Sequence, residues 1–563
     1  MSAVAAVGAL LISGASAASA QPAPAQVPAQ VDAPVPSIDW GPCEGELVSP
    51  EFECATVEVP SDYDKPRGKT TTIAVTRLPA SNPYQRIGSV FLNFGGPGGP
   101  GVETLHQLGG TFLDPRIRES FDIIGFDPRA VGQSDPATCF PDAATEAAFF
   151  ADVPAFPVTK AEERSYTRTM RTLARACSFF SGERISHGST ANVARDMDLL
   201  RQAVGDEQLS YIGYSYGTVL GATYAALFPD RVRALVLDGT VDPTLWSRGP
   251  GSVGQRLGQG PAADETFEQF LTLCAQAGEE GCVLAGLGDP REIVDKLLAN
   301  LKRTPLQIPL PDGTTQIYRY SDVTAINFSL MYSPALWPLL AALLAEMALL
   351  TSPQQAGSAI APEHRRGSDR ESVGEILRRL GLIEDYPSIG GSLASLCVDM
   401  RHPLTPWQYR AQADRAEQEA PYFGRYRSWA GIQCEFVNFR DRDAYRGPWQ
   451  QTTDAPVMVI GTRYDPATAY SMTRPYADLW PDARMMTVEG YGHTTVGVSV
   501  CADQAIGTYL LTLEATDGAV CGQDFEPFQV FAGEIPDDQL LLAPRPRITT
   551  VPSGETSGGP ATR

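Results

Sequence analysis

The feature that most constrains this chain is the pentapeptide 213–217, which fits the pattern Gly-x-Ser-x-Gly with Ser215 at its centre. A short β-rich run, 209–212, precedes it, and a run rich in Ala and Leu follows it. A strand, a tight turn and a helix in this order hold the serine in a strained backbone, so its hydroxyl projects above the sheet edge. The N-terminus of the helix also offers free N–H groups to a developing anion. The pattern predicts a nucleophilic serine, although an ordinary strand-to-helix turn also uses glycine for tightness.

Strands alternate with helices on both sides of this turn. The strands are expected at 55–59, 70–76, 89–94, 121–126, 209–212, 231–237, 455–460 and 483–488, and the helices at 191–204, 470–479 and 502–513. This alternation predicts an α/β fold with a largely parallel sheet and helices on both faces. Between 243 and 446 the pattern becomes mostly helical (265–277, 290–301, 321–350 and 371–382), which indicates a cap inserted between sheet strands.

The two ends of the chain differ from its centre. Residues 1–20 combine an apolar run with a small-residue cleavage site, as in a secretory signal peptide. Residues 21–37 are a linker rich in Pro and Ala. The predicted organisation is then 38–242 for the first part of the core, 243–446 for the cap, 447–525 for the second part of the core, and 526–563 for an extension with a disordered tail.

The bulk composition excludes some classes of partner. The net charge is −22 at pH 7, whereas nucleic-acid phosphates call for a basic surface. Apart from the signal segment, the most apolar run is 336–350, which contains Pro338 and Glu346 and is better interpreted as a buried helix than as a membrane span. No feature of the sequence indicates an oligomeric state.

Ten cysteines in an exported chain suggest disulfides. Pairing of nearest neighbours gives 43–54, 139–177, 274–282, 397–434 and 501–521, although sequence alone leaves other connectivities open. A metal site is a weak alternative, because the chain has no Cys-x-x-Cys motif and no His at ligand spacing from a Cys.

A serine hydroxyl needs a base to take its proton. Of five histidines, His493 follows a predicted strand in a glycine-containing loop, and Asp465 follows the preceding predicted strand. The order Ser, Asp, His is the order in enzymes with this type of turn. We therefore predict that Ser215 attacks, that His493 is base and then acid, and that Asp465 orients the imidazole. Asp454 is the rival acid, but it precedes its strand and so lies at the wrong end.

The glycine-rich run 95–101 allows two interpretations. Gly96, Gly98 and Gly101 match Gly-x-Gly-x-x-Gly after a strand, with Asp127 downstream, which is a dinucleotide-binding pattern. However, Pro97 and Pro100 lack the N–H groups that a pyrophosphate would need. The favoured alternative is an oxyanion loop, in which this turn and the residue after Ser215 each supply one N–H.

Together, the segments 59–66, 93–99, 127–134, 213–217 and 236–239 and the surroundings of Asp465 and His493 resemble the α/β-hydrolase peptidases of the proline iminopeptidase and tripeptidyl aminopeptidase group. The resemblance covers roughly residues 43–521 and is greatest to secreted bacterial tripeptidyl aminopeptidase-like proteins. It implies the α/β-hydrolase fold, an oxyanion hole made by the N–H groups of Gly96 and Tyr216, and a helical cap over the site. Phe94 stands where many iminopeptidases carry His.

The resemblance implies an exported serine aminopeptidase that acts on peptides without a metal or organic cofactor. Such an enzyme must hold a cationic α-amino group, and carboxylates of the cap are its natural partners. The candidates are Asp264, Glu265, Glu268 and Asp399, each of which could instead be an ordinary solvated charge. The rival functions are a carboxylesterase with the same three residues and a non-catalytic binding protein on the same fold.

Overall fold

The computed structural model describes residues 32–45, 48–309, 315–351, 389–401, 404–450 and 452–529. Several predictions lie outside these residues: the signal peptide, most of the linker, the helix at 371–382 and the C-terminal tail. His364 and His402 also lie outside them.

A ten-stranded sheet forms the core, in the order β1-β2-β3-β5-β4-β6-β7-β10-β11-β12, and β8 and β9 form a separate hairpin. The strands are β1 (Gly41–Pro42), β2 (Glu53–Pro60), β3 (Thr70–Leu78), β4 (Gly88–Asn93), β5 (Phe121–Phe126), β6 (Leu209–Tyr214), β7 (Val232–Asp238), β8 (Leu306–Pro309), β9 (Thr315–Tyr318), β10 (Val457–Tyr464), β11 (Ala483–Tyr491) and β12 (Ala519–Gly522). The pairs within β1-β2-β3-β5 are antiparallel, and all pairs from β5 to β12 are parallel.

Helices cover both faces of this sheet, so its central strands are buried on both sides. Alternate residues of β4 point to opposite faces: Phe91 packs in one cluster, and Val90 and Leu92 pack in another. The first face is covered by Thr190–Ala203 and Gly217–Leu227, and the second by Gly101–Leu108, Pro115–Ser120 and Val500–Thr512. The predicted α/β architecture with a largely parallel sheet is therefore confirmed.

The chain between β7 and β10 is a mostly helical cap. Its helices within the described residues are Pro243–Ser247, Val253–Arg256, Gln259–Gly281, Pro290–Arg303, Tyr320–Leu330, Trp337–Thr351, Ile389–Asp399, Pro406–Glu419 and Gly424–Ser428. Apolar side chains of most of these helices form one hydrophobic cluster, and two earlier helices, Ala143–Phe150 and Lys160–Ser186, contribute to it. These residues fall within the predicted first part of the core, 38–242, but their apolar side chains pack with those of the cap.

The helix expected at 321–350 is two helices. Ser333 is extended because a proline, Pro334, follows it, and this breaks the helical run. Only the segment Pro334–Thr351 is long and apolar enough to cross a membrane among the described residues, and half of it is buried within the protein. The helix expected at 470–479 is a 3₁₀ turn, Tyr470–Met472, followed by the short helix Thr473–Ala477.

All ten cysteines form disulfides, and the five nearest-neighbour pairs are confirmed: 43–54, 139–177, 274–282, 397–434 and 501–521. Two of them strengthen the cap. Cys139–Cys177 ties the long helix Lys160–Ser186 to the segment before it, and Cys397–Cys434 ties Ile389–Asp399 to the 3₁₀ turn Ile432–Phe436.

Candidate active site

Ser215 lies at the turn between β6 and the helix Gly217–Leu227, with φ of 56°. Positive φ is strained for a residue with a side chain, so the surrounding contacts must hold this conformation. One such contact is the Ser215 N–H, which donates to the carbonyl of Asp238 at 2.8 Å. The serine is partly accessible, whereas its neighbours Tyr214 and Tyr216 are buried. The sequence pattern thus forms the strained turn that it predicts.

His493 and Asp465 form a buried pair in the loops that follow β11 and β10. His493 Nδ1 lies 2.9 Å from both carboxylate oxygens of Asp465. The two residues are 3% and 2% exposed, so water competes little for their hydrogen bond. A carboxylate only accepts, so Nδ1 carries the proton and Nε2 is left as the basic nitrogen.

The protein holds the Asp465 carboxylate with four further donors. The N–H groups of Ala467 and Thr468 donate to Oδ1 at 2.8 Å each, and the Thr468 hydroxyl donates to Oδ2 at 2.6 Å. The N–H of Thr494 donates to Oδ2 at 3.3 Å. Because these bonds fix the carboxylate from both sides, they also fix the imidazole that it contacts.

The histidine and the serine turn both lie next to the end of β7. A Cβ added to Gly239 would lie 3.5 Å from His493 Cε1, and the residue before Gly239 accepts the Ser215 N–H. Both side chains belong to the described chain, yet they are not hydrogen-bonded to each other. Such bonds are often long in unliganded enzymes and tighten when substrate binds.

Asp238 supports the histidine loop, a role that is not among the sequence predictions. Its Oδ2 accepts the N–H of Thr495 at 2.9 Å and the Thr495 hydroxyl at 2.7 Å. Burial raises the pKa of Asp238 to about 6, against the lowering effect of those two bonds. The signal for it in the sequence was its place at the carboxyl end of a parallel strand.

Tyr332 of the cap contacts the histidine through both its backbone and its ring. Its carbonyl accepts the His493 N–H at 2.8 Å, and its ring lies edge-on to the imidazole with centroids 4.7 Å apart. Gly492 is required here, because an added Cβ would lie 2.7 Å from that carbonyl oxygen. The cap thus contacts the candidate base directly.

The glycine-rich loop after β4 lies against the serine turn. A Cβ added to Gly95 would lie 2.9 Å from Ser215 Cβ and 3.3 Å from Tyr216 N. Among the backbone hydrogen bonds of the described chain, none is donated by the N–H groups of Gly96 and Tyr216, which is the arrangement that an oxyanion hole requires. Phe94, at the position where the resembling family often has His, stacks on Tyr214 with centroids 5.9 Å apart. Aromatic packing therefore anchors this loop.

Asp127, the acidic residue in the dinucleotide interpretation, is used inside the fold. Its carboxylate accepts the N–H groups of Val102 and Gln133 at 2.9 and 2.8 Å, and the residue is 1% exposed. It therefore caps the helix Gly101–Leu108 and has no accessible oxygen for a ribose. This arrangement does not favour dinucleotide binding.

Two family models match the chain: one for the alpha/beta hydrolase fold over residues 91–273 and one for TAP-like proteins over residues 420–521. The carboxylesterase B of Mycobacterium tuberculosis strain CDC 1551 is 31% identical over 519 residues, covering 88% of this chain and 91% of the relative. The chain belongs to the α/β-hydrolase family. This membership confirms the resemblance described above.

Other relatives of this hydrolase carry peptidase names. The serine protease Hip1 of Mycobacterium tuberculosis H37Rv is 29% identical over 498 residues, covering 84% of this chain and 88% of the relative. The tripeptidyl aminopeptidase of Streptomyces lividans is 28% identical over 487 residues, covering 84% of each chain.

The four cap acids of this hydrolase differ in their surroundings. Asp264 accepts the N–H groups of Tyr422 and Phe423, and burial raises its pKa to about 6. Asp399 is 2% exposed and is bonded within the fold. Glu268 is half-exposed and paired with Arg291, and Glu265 is exposed. The predicted role in binding a substrate amine therefore remains open only for the two glutamates.

The described histidines outside the site have structural surroundings. His106 Nε2 lies 2.9 Å from Thr76 Oγ1 and beside the disulfide Cys43–Cys54. His106, Cys43 and Cys54 form the one cluster in the described chain whose atoms are close enough together to hold a metal ion. However, the two cysteine sulfurs are already joined in a disulfide. His187 follows the last residue of the helix Lys160–Ser186, and its carbonyl accepts a hydrogen bond from Arg129.

Proposed function

We propose that this protein is an exported serine hydrolase that releases short fragments, tripeptides in particular, from the N-termini of peptides. The observation that carries the proposal is the buried pair of His493 and Asp465, which lies next to the end of β7, where the strained Ser215 is also anchored. The peptidase names of the relatives from Mycobacterium and Streptomyces support peptides as the substrate class.

The proposed reaction starts when Ser215 Oγ attacks the scissile carbonyl carbon and His493 Nε2 takes the hydroxyl proton. The carbonyl oxygen becomes an anion that the N–H groups of Gly96 and Tyr216 bind. Asp465 stays ionised and stabilises the imidazolium. When the C–N bond breaks, His493 gives its proton to the leaving amine, and an ester on Ser215 remains.

Water completes the cycle by the same steps. His493 takes a proton from water as the oxygen attacks the ester, and it returns that proton to Ser215 Oγ when the C–O bond breaks. The hydroxyl of Thr468 contributes indirectly, because its hydrogen bond to Asp465 Oδ2 keeps that oxygen turned toward the imidazole.

Release of N-terminal fragments requires that the enzyme recognise a free α-ammonium group. We propose Glu265 and Glu268 as its partners, since they are the more exposed of the four candidates; Glu268 would exchange its ion pair with Arg291 for the substrate amine. They lie on the cap helix Gln259–Gly281, whose first residue, Gln259, donates to the carbonyl of Ala467 at 2.9 Å. This contact joins the start of the helix to the Asp465 loop.

Five disulfides fit an oxidising compartment and support export through the predicted signal segment. Secretion with removal of that segment is checked by N-terminal sequencing of the protein from culture medium and periplasm. An intact N-terminus on cytoplasmic protein would contradict export.

A carboxylesterase is the second candidate, favoured by the 31% identical relative of that name. The deciding experiment incubates the enzyme with a defined peptide, free or acetylated at its N-terminus, and with short acyl esters. We expect product masses of tripeptides from the free peptide and no products from the acetylated one. Turnover of esters alone would remove the peptidase proposal.

A further inference from the structure

The side chain of Tyr216 belongs to a buried hydrogen-bond chain that the mechanism above does not use. Its ring packs on Trp246 with centroids 5.3 Å apart, and its hydroxyl is hydrogen-bonded to the hydroxyl of Thr190. Thr190 in turn is hydrogen-bonded through its hydroxyl and its N–H to the carboxylate of Asp399. All four residues are at most 5% exposed.

The chemistry of the groups fixes the direction of this chain. The Asp399 carboxylate accepts, so the single hydroxyl proton of Thr190 points toward it. The Thr190 oxygen is then left to accept the hydroxyl proton of Tyr216. The indole N–H of Trp246 donates to the same carboxylate at 3.3 Å. Tyr216, Thr190 and Asp399 thus form one directed chain that ends on a buried acid.

Each member of the chain sits at the end of a rigid element. Tyr216 precedes the helix Gly217–Leu227, Thr190 begins the helix Thr190–Ala203, and Asp399 ends the cap helix Ile389–Asp399. Arg446 holds the last of these helices by donating to the carbonyl of Asp399 at 2.7 Å. The chain therefore joins the serine turn to both the core and the cap.

The same cap helix also touches the other half of the candidate oxyanion hole. A Cβ added to Gly98 would lie 2.7 Å from the backbone nitrogen of Ser392, in the first turn of Ile389–Asp399. The helix therefore contacts the glycine-rich loop with its first turn and reaches the serine turn, through Thr190, with its last residue.

We propose that Thr190 and Asp399 are positioning residues that fix Tyr216 so that its backbone N–H points at the developing anion. The inference rests on the proposed function, because it assigns these residues to the oxyanion hole of that reaction. The Tyr216 ring is held at its far end by Thr190 and along its face by Trp246, so it restrains the positions of Cβ and Cα, and a shift of Cα would displace the peptide plane that carries the N–H.

The test compares Tyr216→Phe, Thr190→Val and the double variant. Each loses a hydroxyl and keeps its shape, whereas Asp399→Asn would place an amide donor against other donors and could unfold the protein. Titration with a fluorophosphonate counts active sites, and kcat is expressed per labelled site. Loss of an oxyanion donor costs about 10²–10³ in kcat, and a displaced donor costs less. We expect kcat to fall at least fivefold in each single variant, with KM within twofold.

The kcat of the double variant should be no lower than that of the less active single variant, because both substitutions break the same hydrogen-bond chain. Thr190→Ser keeps the hydroxyl and should restore kcat. Tyr224→Phe is the matched control. It removes a buried tyrosine hydroxyl on the helix that follows Tyr216, which donates to Asp198 at 3.0 Å, and it should lower stability while kcat stays unchanged.

A fall in kcat smaller than fivefold in either single variant, or losses that multiply in the double variant, would overturn the proposal even if the melting temperature fell. Failure of the proposed function looks different. In that case the wild-type protein itself would neither be labelled at Ser215 nor hydrolyse peptides or esters.

Discussion

Replacement of Asp465 by Asn tests the roles assigned to the three residues at atomic detail. The carboxylate accepts five hydrogens: two N–H groups on Oδ1, the Thr468 hydroxyl and the Thr494 N–H on Oδ2, and the His493 Nδ1 proton between them. An asparagine has only one acceptor oxygen. That oxygen must face the backbone N–H groups of Ala467 and Thr468, since an amide N–H₂ placed there would meet two donors, at a cost of about 1–3 kcal/mol for each.

The amide N–H₂ of Asn then takes the place of Oδ2 and donates to His493 Nδ1. A protonated Nδ1 would meet that N–H₂ at the 2.9 Å that now separates it from Oδ2, so the tautomer with its proton on Nε2 is favoured, and that tautomer cannot accept the proton of Ser215. A wrong tautomer of this kind costs about 10⁴ in kcat, which is about 5 kcal/mol in the barrier. We expect Asp465→Asn to remain folded, with kcat lower by that factor on a tripeptidyl amide substrate.

Asp454→Asn is the matched control, because Asp454 is the exposed rival acid at the other end of β10. Its kcat should stay within twofold of the wild-type value. Both variants are assayed with a chromogenic amide, with active sites counted by fluorophosphonate. A kcat within tenfold of wild type for Asp465→Asn, or an equal loss in Asp454→Asn, would refute the assignment of the acid.

Three further predictions concern stability and the geometry of the turn. Burial and the neighbouring carboxylates raise the pKa of Asp503 to about 7, so the stabilisation from its protonated form is full below about pH 4 and is lost as pH rises through 7. Asp503→Asn should therefore raise the melting temperature at pH 8 by about 1–2 °C, after allowance for solvent screening, and leave it unchanged at pH 4; the same difference at both values would contradict this. Serine at both Cys397 and Cys434 removes a crosslink across 37 residues and should lower the free energy of unfolding by about 4 kcal/mol in urea titrations, whereas an unchanged midpoint would argue against the bond. Gly95→Ala places a Cβ 2.7 Å from a carbonyl oxygen of the serine turn and should abolish fluorophosphonate labelling, while Gly109→Ala, which also has positive φ but has open space around it, should be labelled normally.

The parts of the fold that the sequence predicts well are those set by local pattern. The strand, turn and helix around Ser215 follow from glycine spacing and from a short β-rich run. The five disulfides follow from short loops between neighbouring cysteines. Both features depend on residues that lie close together in the chain, so no tertiary information is needed to find them.

Tertiary packing decides the rest. The polar helix Lys160–Ser186 was not predicted, although Thr159 and Glu162 form a capping box that marks its start. The sequence around Asp264 and Asp399 is typical of surface acids. In the structure both are buried, and their carboxylates accept hydrogen bonds from residues that are distant in the chain. The end of its strand places Asp238 near the site, but its bond to Thr495 joins residues 257 positions apart, and no local pattern indicates that partner.

The central claim is that Ser215, His493 and the two oxyanion N–H groups converge on one reacting carbonyl. A crystal structure of the enzyme after reaction with a peptidyl fluorophosphonate tests this most directly. We predict phosphorus bonded to Ser215 Oγ, its oxygen about 2.7–3.1 Å from the nitrogens of Gly96 and Tyr216, and His493 Nε2 within hydrogen-bond distance of Oγ. An adduct on another residue, or a phosphoryl oxygen turned away from both N–H groups, would contradict the account.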